Sequence, residues 1–474
     1  MRTLPLYHQL TNHYLDAIER GTLKHGDKMP SVRTLMSKHD ISLSTALNVC
    51  RRLEEHGVLE ARPRSGNYIR APRDNAPAPA PVQPGAQLDA AQFDGASSRI
   101  SALLAATRAT SVKVNLAHAQ MAPALYPHAA LQRCMMNTLR RQSGVLGRPA
   151  PATGHPALCG LLARRALMSR MHLTPEDIII TQGGTEALNL ALRAVTQPGD
   201  VVAVESPTFF GLLQTLESLN LQALEIPTDP HTGICLDALE SAAQRRLIKA
   251  VVVMPNLQNP LGCVMPDAHK ERLVRWCTRE QIAVIEDDTY AELASQDAPL
   301  SGLKRWDEAG YVIHCASLTK SLAPGLRLGW MAPGRWRSRV GMLKYAQSRS
   351  CDLLPQLTLA SFLGSRTHEQ HVRQVRLQLA VQRERVTQAV LRSFPPGTQV
   401  SQPSGGAMLW VQLPTPRSVL PLFEQALQRG ISFAPGQMFS SSAHFANCLR
   451  LSAGMAFTPA VDDALHRLGQ MAAA

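Results

Sequence analysis

Between residues 177 and 317 the chain repeatedly sets a short, continuously apolar run beside a stretch with helical spacing. DIIIT (177–181), VVAV (201–204), AVVVM (250–254), IAVIED (282–287) and YVIHCAS (311–317) are such runs. TEALNLALRAVTQPGD (185–200) and DAHKERLVRWCTREQ (267–281) are helical intervals between them. A strand with no polar face must be covered on both sides, and helices returning the chain between such strands build a mainly parallel sheet. Open sheets of this kind take their ligands at the carboxyl ends of the strands. The stretch from about 345 to 474 starts with long helices and then carries GGAMLWVQL and CLRLSAG, which reads as a smaller α+β lobe. The expected lobes are a large one at about 135–345 and a small one at about 98–134 plus 346–474.

A chain of 474 residues is too long for one ordinary core. Residues 1–70 form a compact charged segment, and 71–97, rich in Ala and Pro without apolar periodicity, reads as a semi-rigid linker. Residues 98–474 hold the α/β part. No apolar stretch approaches the roughly 20 residues of a membrane span, and MRTLPLYHQL has no signal-peptide apolar core. The nine cysteines are scattered singly without a C-x-x-C pair, which argues against a zinc site or a disulfide framework. A cytoplasmic protein with reduced thiols and no metal is expected. The net charge is +13, and residues 1–74 are about twice as basic per residue as the rest, which hints at a polyanionic partner.

The N-terminal segment has the order of a DNA reader. Leu6, Leu10, Tyr14, Leu15 and Ile18 share helical spacing, and Gly21 stops that helix. Ser31 is placed to cap a second helix through about His39, Asp40–Ser42 is a turn, and Ser42 or Ser44 opens a third helix ending at Gly57. VLEARPRSGNYI then reads as two short strands around a basic tip. A helix-turn-helix followed by a basic β-wing suits the major groove and the phosphate backbone. A small helical packing domain with solvated charges is the alternative from pattern alone. YHQL…PSVRTLMSKHDISLSTALNVCRRLEEHGVLEARPRSGNYI resembles the GntR-type winged helix over nearly its whole length. That resemblance implies that Arg33, Ser44, Thr45, Arg62, Arg64 and Gly66 lie near double-stranded operator DNA. Leu43 stands where the family often has arginine.

HCASLTKSLAPGLRLGW (314–330) raises the second functional question, because it places Lys320 with Ser317 and Arg327 at a strand end. Pyridoxal 5'-phosphate (PLP) needs such a set: an amine for its aldehyde, an acid for its pyridine nitrogen, a phosphate cradle and a flat partner for its ring. In chain order, Gly184 and Thr185 of TQGGTEAL offer amides at a helix start, and Phe209 of ESPTFFG offers a ring. Asn259 of NLQNPLG is in reach of the ring hydroxyl. Asp287 and Tyr290 of IEDDTY, Ser317 and Lys320 of SLTK, and Arg327 of GLRLG complete the set. Arg450 of CLRLSAG is a candidate for a substrate carboxylate. Each alone has a structural explanation (a tight turn, a core ring, an N-cap, a surface charge); the ordered set is far rarer. SLTK also fits the S-x-x-K of serine β-lactamases, but the S-D-N and K-T-G partners do not occur.

From about 100 to 470 the chain resembles the fold type I PLP-dependent aminotransferases. With the winged helix, the whole resembles a MocR-type regulator, a branch of the GntR family. The resemblance implies an internal aldimine at Lys320, Asp287 on the pyridinium nitrogen, Asn259 and Tyr290 on the ring oxygen, Ser317 and Arg327 on the phosphate, and a homodimer. Lys320, Asp287 and Tyr290 are the expected catalytic set. Two positions depart from the pattern: no tyrosine precedes Gly154 in LGRPAPATGHPAL, and Leu261 replaces a frequent threonine. The favoured reading is a transcription regulator sensing PLP or a small amine or amino acid. The alternatives are a working aminotransferase carrying a DNA-binding module, and a DNA-binding protein with a dimerisation scaffold.

Overall fold

The computed structural model describes residues 5–62, 66–70, 96–245, 247–295 and 300–473. The chain divides into two compact units, Met1–Asn75 and Ala76–Ala474. The predicted linker lies outside the described residues up to 95, and its last residues, Ala96 and Ser97, already open the helix Ala96–Ala109.

The first unit holds the helices Leu6–Glu19, Val32–His39 and Leu43–Glu55 and an antiparallel pair of strands, Leu59–Arg62 and Gly66–Ile69. Ser31 Oγ accepts from the Thr34 amide at 3.1 Å and starts the second helix. Of the two candidate caps for the third helix, Ser42 is the one used, its Oγ accepting from the Thr45 amide at 3.2 Å. Asp40 makes the turn between them with φ +49°, a left-handed conformation that Asp tolerates better than most residues. Tyr14, Leu35, Ala46, Val49, Leu53, Leu59 and Ile69 form the core. Burying a side chain such as Leu53 contributes about 2 kcal/mol. Leu6, expected on the apolar stripe, remains 52% exposed in the first turn, beyond the reach of this core.

The second unit is built on an eight-stranded sheet. Its order is Ile179–Thr181, Gly329–Ala332, Val312–Ser317, Ala283–Asp287, Ile248–Val253, Val201–Ser206, Gln222–Asp229 and Gly233–Ile234. Every pairing from Val312–Ser317 across to Gln222–Asp229 is parallel, and Gly329–Ala332 runs antiparallel to both its neighbours. Ala283–Asp287 is buried at every position, which is why its sequence shows no polar alternation. Ser206, Val253, Asp287 and Ser317 end adjacent parallel strands, so the segments that follow them gather at one rim.

A second, antiparallel sheet joins Gln399–Val400, Met408–Gln412, Cys448–Ser452 and Ala434–Pro435, with Trp410 opposite Arg450. The helices Arg366–Ser393, Leu420–Gln428 and Pro459–Ala473 share its apolar core. Apolar clusters cross the expected lobe boundaries. Ala96 and Ile100 pack with Leu188, Leu212 and Leu216, and Cys351, Leu359 and Phe362 pack with Leu131, Leu158 and Trp330. Segments expected in the small lobe thus share apolar clusters with residues of the large sheet, since apolar spacing defines a helix's buried face but not its packing partner. No helix among the described residues is long and apolar enough to cross a membrane.

Candidate functional site

The acidic run Glu286–Asp288 shows how the strand end sorts similar side chains. Glu286 accepts from the Leu303 amide at 2.7 Å and pairs with His314 Nδ1 at 2.8 Å. Asp288 accepts from Asn256 Nδ2 at 2.8 Å, and Asn256 in turn takes a bond from the buried Lys270 at 2.6 Å. Asp287 points between them into a cavity, as period-two alternation requires. Its Oδ1 takes the amide and hydroxyl of Thr289 at 3.1 and 2.5 Å; its Oδ2 has no hydrogen bond among the described residues. Burial pushes the Asp287 carboxyl up, offset in part by Thr289, His314 and Lys320.

That cavity, of about 100 Å³, is lined by Gly184, Thr185, Phe209, Asn259, Asp287, Tyr290, Ser317, Lys320 and Arg327. All nine residues singled out for a cofactor therefore meet in one place, although up to 143 positions of sequence separate them. Thr289, Thr319, Met254 and Leu188 also line it and were not singled out. Thr289 and Thr319 had a local signal: each sits two residues after a strand-end acceptor. The Thr319 amide donates to Ser317 Oγ at 3.2 Å and the two hydroxyls lie 2.7 Å apart.

Lys320 forms no hydrogen bond or ion pair among the described residues. Its amine is pushed down to about 8, mainly by burial, then by Arg450 and Arg327, against the opposing pull of Asp287. The next residue, Ser321, donates to Glu292, which Arg165 also bonds at 2.6 Å, so the Lys320 loop is anchored beside its reactive atom. Tyr290 is buried, and burial holds its hydroxyl above the usual range.

The anion end is built by the helix Gly183–Val195. Gly183 has φ +79°, and a Cβ on Gly184 would stand 3.3 Å from Thr289 Oγ1 and 3.4 Å from Ser317 Cβ. The exposed Thr185 and Arg327 complete that end. First-turn amides and a guanidinium together favour a phosphate. The residues present fit PLP: an unpartnered amine, a buried carboxylate oxygen left open, and a glycine-lined helix start.

Arg450 is buried and already oriented. It donates to Asn259 Oδ1 at 2.7 Å and to the Ala117 carbonyl at 2.6 Å, and lies over the Phe439 ring at 4.9 Å. Burial pulls its guanidinium down to about 10. Asn259 thus spends its oxygen on Arg450, a link the sequence did not disclose. No tyrosine precedes Gly154; Ala152 and Thr153 occupy that place, half-buried.

In the first unit Arg33, Ser44 and Gly66 are exposed and Thr45 is half-buried. Gly66 has φ +108°. Arg62 lies on a strand, its side chain outside the described residues, and Arg64 lies outside them altogether. Leu43 and Leu47, one turn apart on the third helix, are 54% and 50% exposed; Leu47 was not among the expected reading residues.

Comparison with known proteins follows the same division. Residues 6–69 match the bacterial regulatory proteins of the gntR family, and residues 114–468 match aminotransferase class I and II. The HTH-type transcriptional regulators YjiR and YdcR of Escherichia coli (strain K12) are 34% and 35% identical, each over 98% of this chain and 98% of their own length. The crystal structure of LysN, an alpha-aminoadipate aminotransferase from Thermus thermophilus complexed with N-(5'-phosphopyridoxyl)-L-leucine, is 27% identical. It superposes with a TM-score of 0.71 over 81% of this chain and 97% of that one. The aminotransferase class I and II fold and its homologues are PLP-dependent, and the fold is typically dimeric. A gntR-family helix-turn-helix implies DNA binding. The chain belongs to the MocR-type regulators, in which a gntR-family helix-turn-helix domain is fused to an aminotransferase class I and II domain.

Proposed function

We propose that the chain is a cytoplasmic, homodimeric transcription regulator that senses PLP or a small amino compound at Lys320 and couples this to operator binding. The observation that carries the reading is the convergence of the nine expected cofactor residues on one cavity around an unpartnered, pKa-lowered lysine. PLP, when bound, supplies an aldehyde that amines compete for and a ring that withdraws electrons.

The chain's own groups divide the work. Lys320 would supply the amine that holds the cofactor's aldehyde and for which an effector amine would compete, and its lowered pKa keeps a useful fraction unprotonated near neutrality. Asp287 would hold the ring nitrogen protonated, Asn259 and Tyr290 would hold the ring oxygen, and Phe209 would offer its ring to the cofactor's. Gly184, Thr185, Ser317 and Arg327 would take the phosphate, and Arg450 would take an effector carboxylate. Arg33, Ser44, Thr45, Arg62, Arg64 and Gly66 are the residues proposed to contact double-stranded DNA, Arg62 and Arg64 on the family resemblance alone. To move the population from mostly one DNA-binding state to mostly the other, the effector must prefer one by about 5.5 kcal/mol.

The test uses the purified full-length chain. Adding PLP produces near-visible absorbance that an added amine shifts, and Lys320→Ala loses that absorbance and at least about 100-fold of cofactor affinity, about 2.7 kcal/mol. An effector response of DNA binding that survives in Lys320→Ala overturns the reading. A working aminotransferase is the second reading, favoured by the same lowered pKa, since Lys320 would then also shuttle a proton. Turnover of amino acids with 2-oxoglutarate at or above about 1 s⁻¹ would establish it.

A further inference from the structure

A second cavity, of about 280 Å³, shares Phe209, Tyr290 and Lys320 with the first and has Arg450 on its wall. Beyond Lys320 and Arg450 its character changes. Leu103 and Leu104 of the helix Ala96–Ala109 line it together with Phe210, Phe433 and Met438. His118, Gln120 and Thr107 are its remaining polar side chains, and no carboxylate occurs among the lining residues. Partial burial, then the cations Arg450 and Lys320, hold the His118 imidazole below its ordinary range, which favours its neutral form.

We propose that this cavity takes the side chain of an α-amino acid bearing an aromatic or bulky aliphatic group, its carboxylate on Arg450 and its amine toward Lys320. The inference deepens the reading of Lys320 and rests on it for the amine end only. Arg450 uses one N–H on Asn259 and one on Ala117, which leaves guanidinium donors for one carboxylate. A second anionic group would find no cation beyond Lys320 and Arg450 among the lining residues, only the His118 imidazole, the Gln120 amide and the hydroxyls of Thr107 and Tyr290, and a cationic one would find no carboxylate there; either exchanges its hydration for weaker partners. A compound without a side chain leaves the Leu103, Leu104, Phe210 and Met438 surfaces unfilled, forfeiting the burial that folding has set up.

The experiment isolates the side-chain end by using carboxylates that have no amine, so it does not depend on displacement of Lys320. Phenylpropionate, isocaproate, acetate and glutarate are titrated calorimetrically into the PLP-treated full-length chain. The expected order has phenylpropionate and isocaproate at least about tenfold tighter than acetate and glutarate. Leu104→Asp weakens phenylpropionate by about tenfold or more, and Leu104→Ser, the milder change, weakens it by less. Equal affinity for acetate, preference for glutarate, or unchanged binding in both folded variants overturns the inference while leaving the absorbance test of Lys320 standing. Loss of the Lys320 absorbance signal with this affinity order retained would sink the sensing reading and leave the apolar cavity intact.

Discussion

The DNA-reading unit and the Lys320 lobe treat polar side chains in opposite ways. On the reader, Arg33 and Ser44 remain exposed, and even Leu43 and Leu47 face solvent at 54% and 50%. In the lobe, Lys270, Glu286, His314 and Arg450 are 3% exposed or less. A macromolecular polyanion is met by groups that stay hydrated until contact, so their strength depends on the surrounding salt. A small ligand is met by groups that folding has already dehydrated, where charges act more strongly on each other and pKa values move. On the proposed reading, the same chain would hold a surface whose binding responds to salt and an interior whose binding responds to pH.

The contrast is most exposed to failure in salt. Duplex DNA binding by the full-length chain is expected to fall by about 10³–10⁵ between roughly 50 and 200 mM salt if about six to ten phosphates are contacted. PLP binding in the same buffers should change by less than about tenfold. Fluorescence anisotropy and absorbance titrations measure the two slopes, and equal slopes would break the distinction.

A pH series sharpens it from the other side. Lys320 is held at about 8, below the roughly 10.4 of a free lysine. Only the unprotonated amine attacks an aldehyde, so the rate of PLP capture should rise about tenfold per pH unit below about 8 and level off above it. Stopped-flow absorbance follows this directly. A rise continuing toward pH of about 10 would mean that Lys320 titrates like a free, solvated lysine.

The smallest effect concerns the reader's own frame. Ser42 caps the third helix through the Thr45 amide, whereas the Ser44 hydroxyl bonds the Ser42 hydroxyl, at 2.9 Å. Ser42→Ala should cost about 1 kcal/mol and Ser44→Ala less than about 0.5 kcal/mol. Thermal unfolding compares the two. Equal costs would show that the exposed hydroxyl network, rather than the cap, holds the helix start.

Much of the site was legible before folding, for reasons tied to particular residues. Asp287 stood out because it ends a continuously apolar run, and Lys320 because it follows another by three positions. Gly184 and Thr185 stood out as a turn opening a helix. Thr289, which fixes the Asp287 carboxylate, was not singled out, because a threonine two residues after an acid is common in turns. His118 and the Leu103–Leu104 wall carried no local signal at all; they reach Lys320 only through segments whose packing partners the sequence does not name. Helix packing has the same property: apolar spacing marks helices, yet the partners of Ala96–Ala109 or Leu353–Leu363 were not legible.

By itself the sequence determined which segments are strands or helices and which chemically capable residues fall at their ends, because hydrophobic period and capping are local properties. Only the tertiary structure decided that Arg450 is held by Asn259, that Lys320 is left without a partner among the described residues, and that an apolar cavity adjoins it. These depend on contacts between segments as far apart as Leu103 and Arg450. They depend also on the loss of water around them, which no stretch of chain can encode alone.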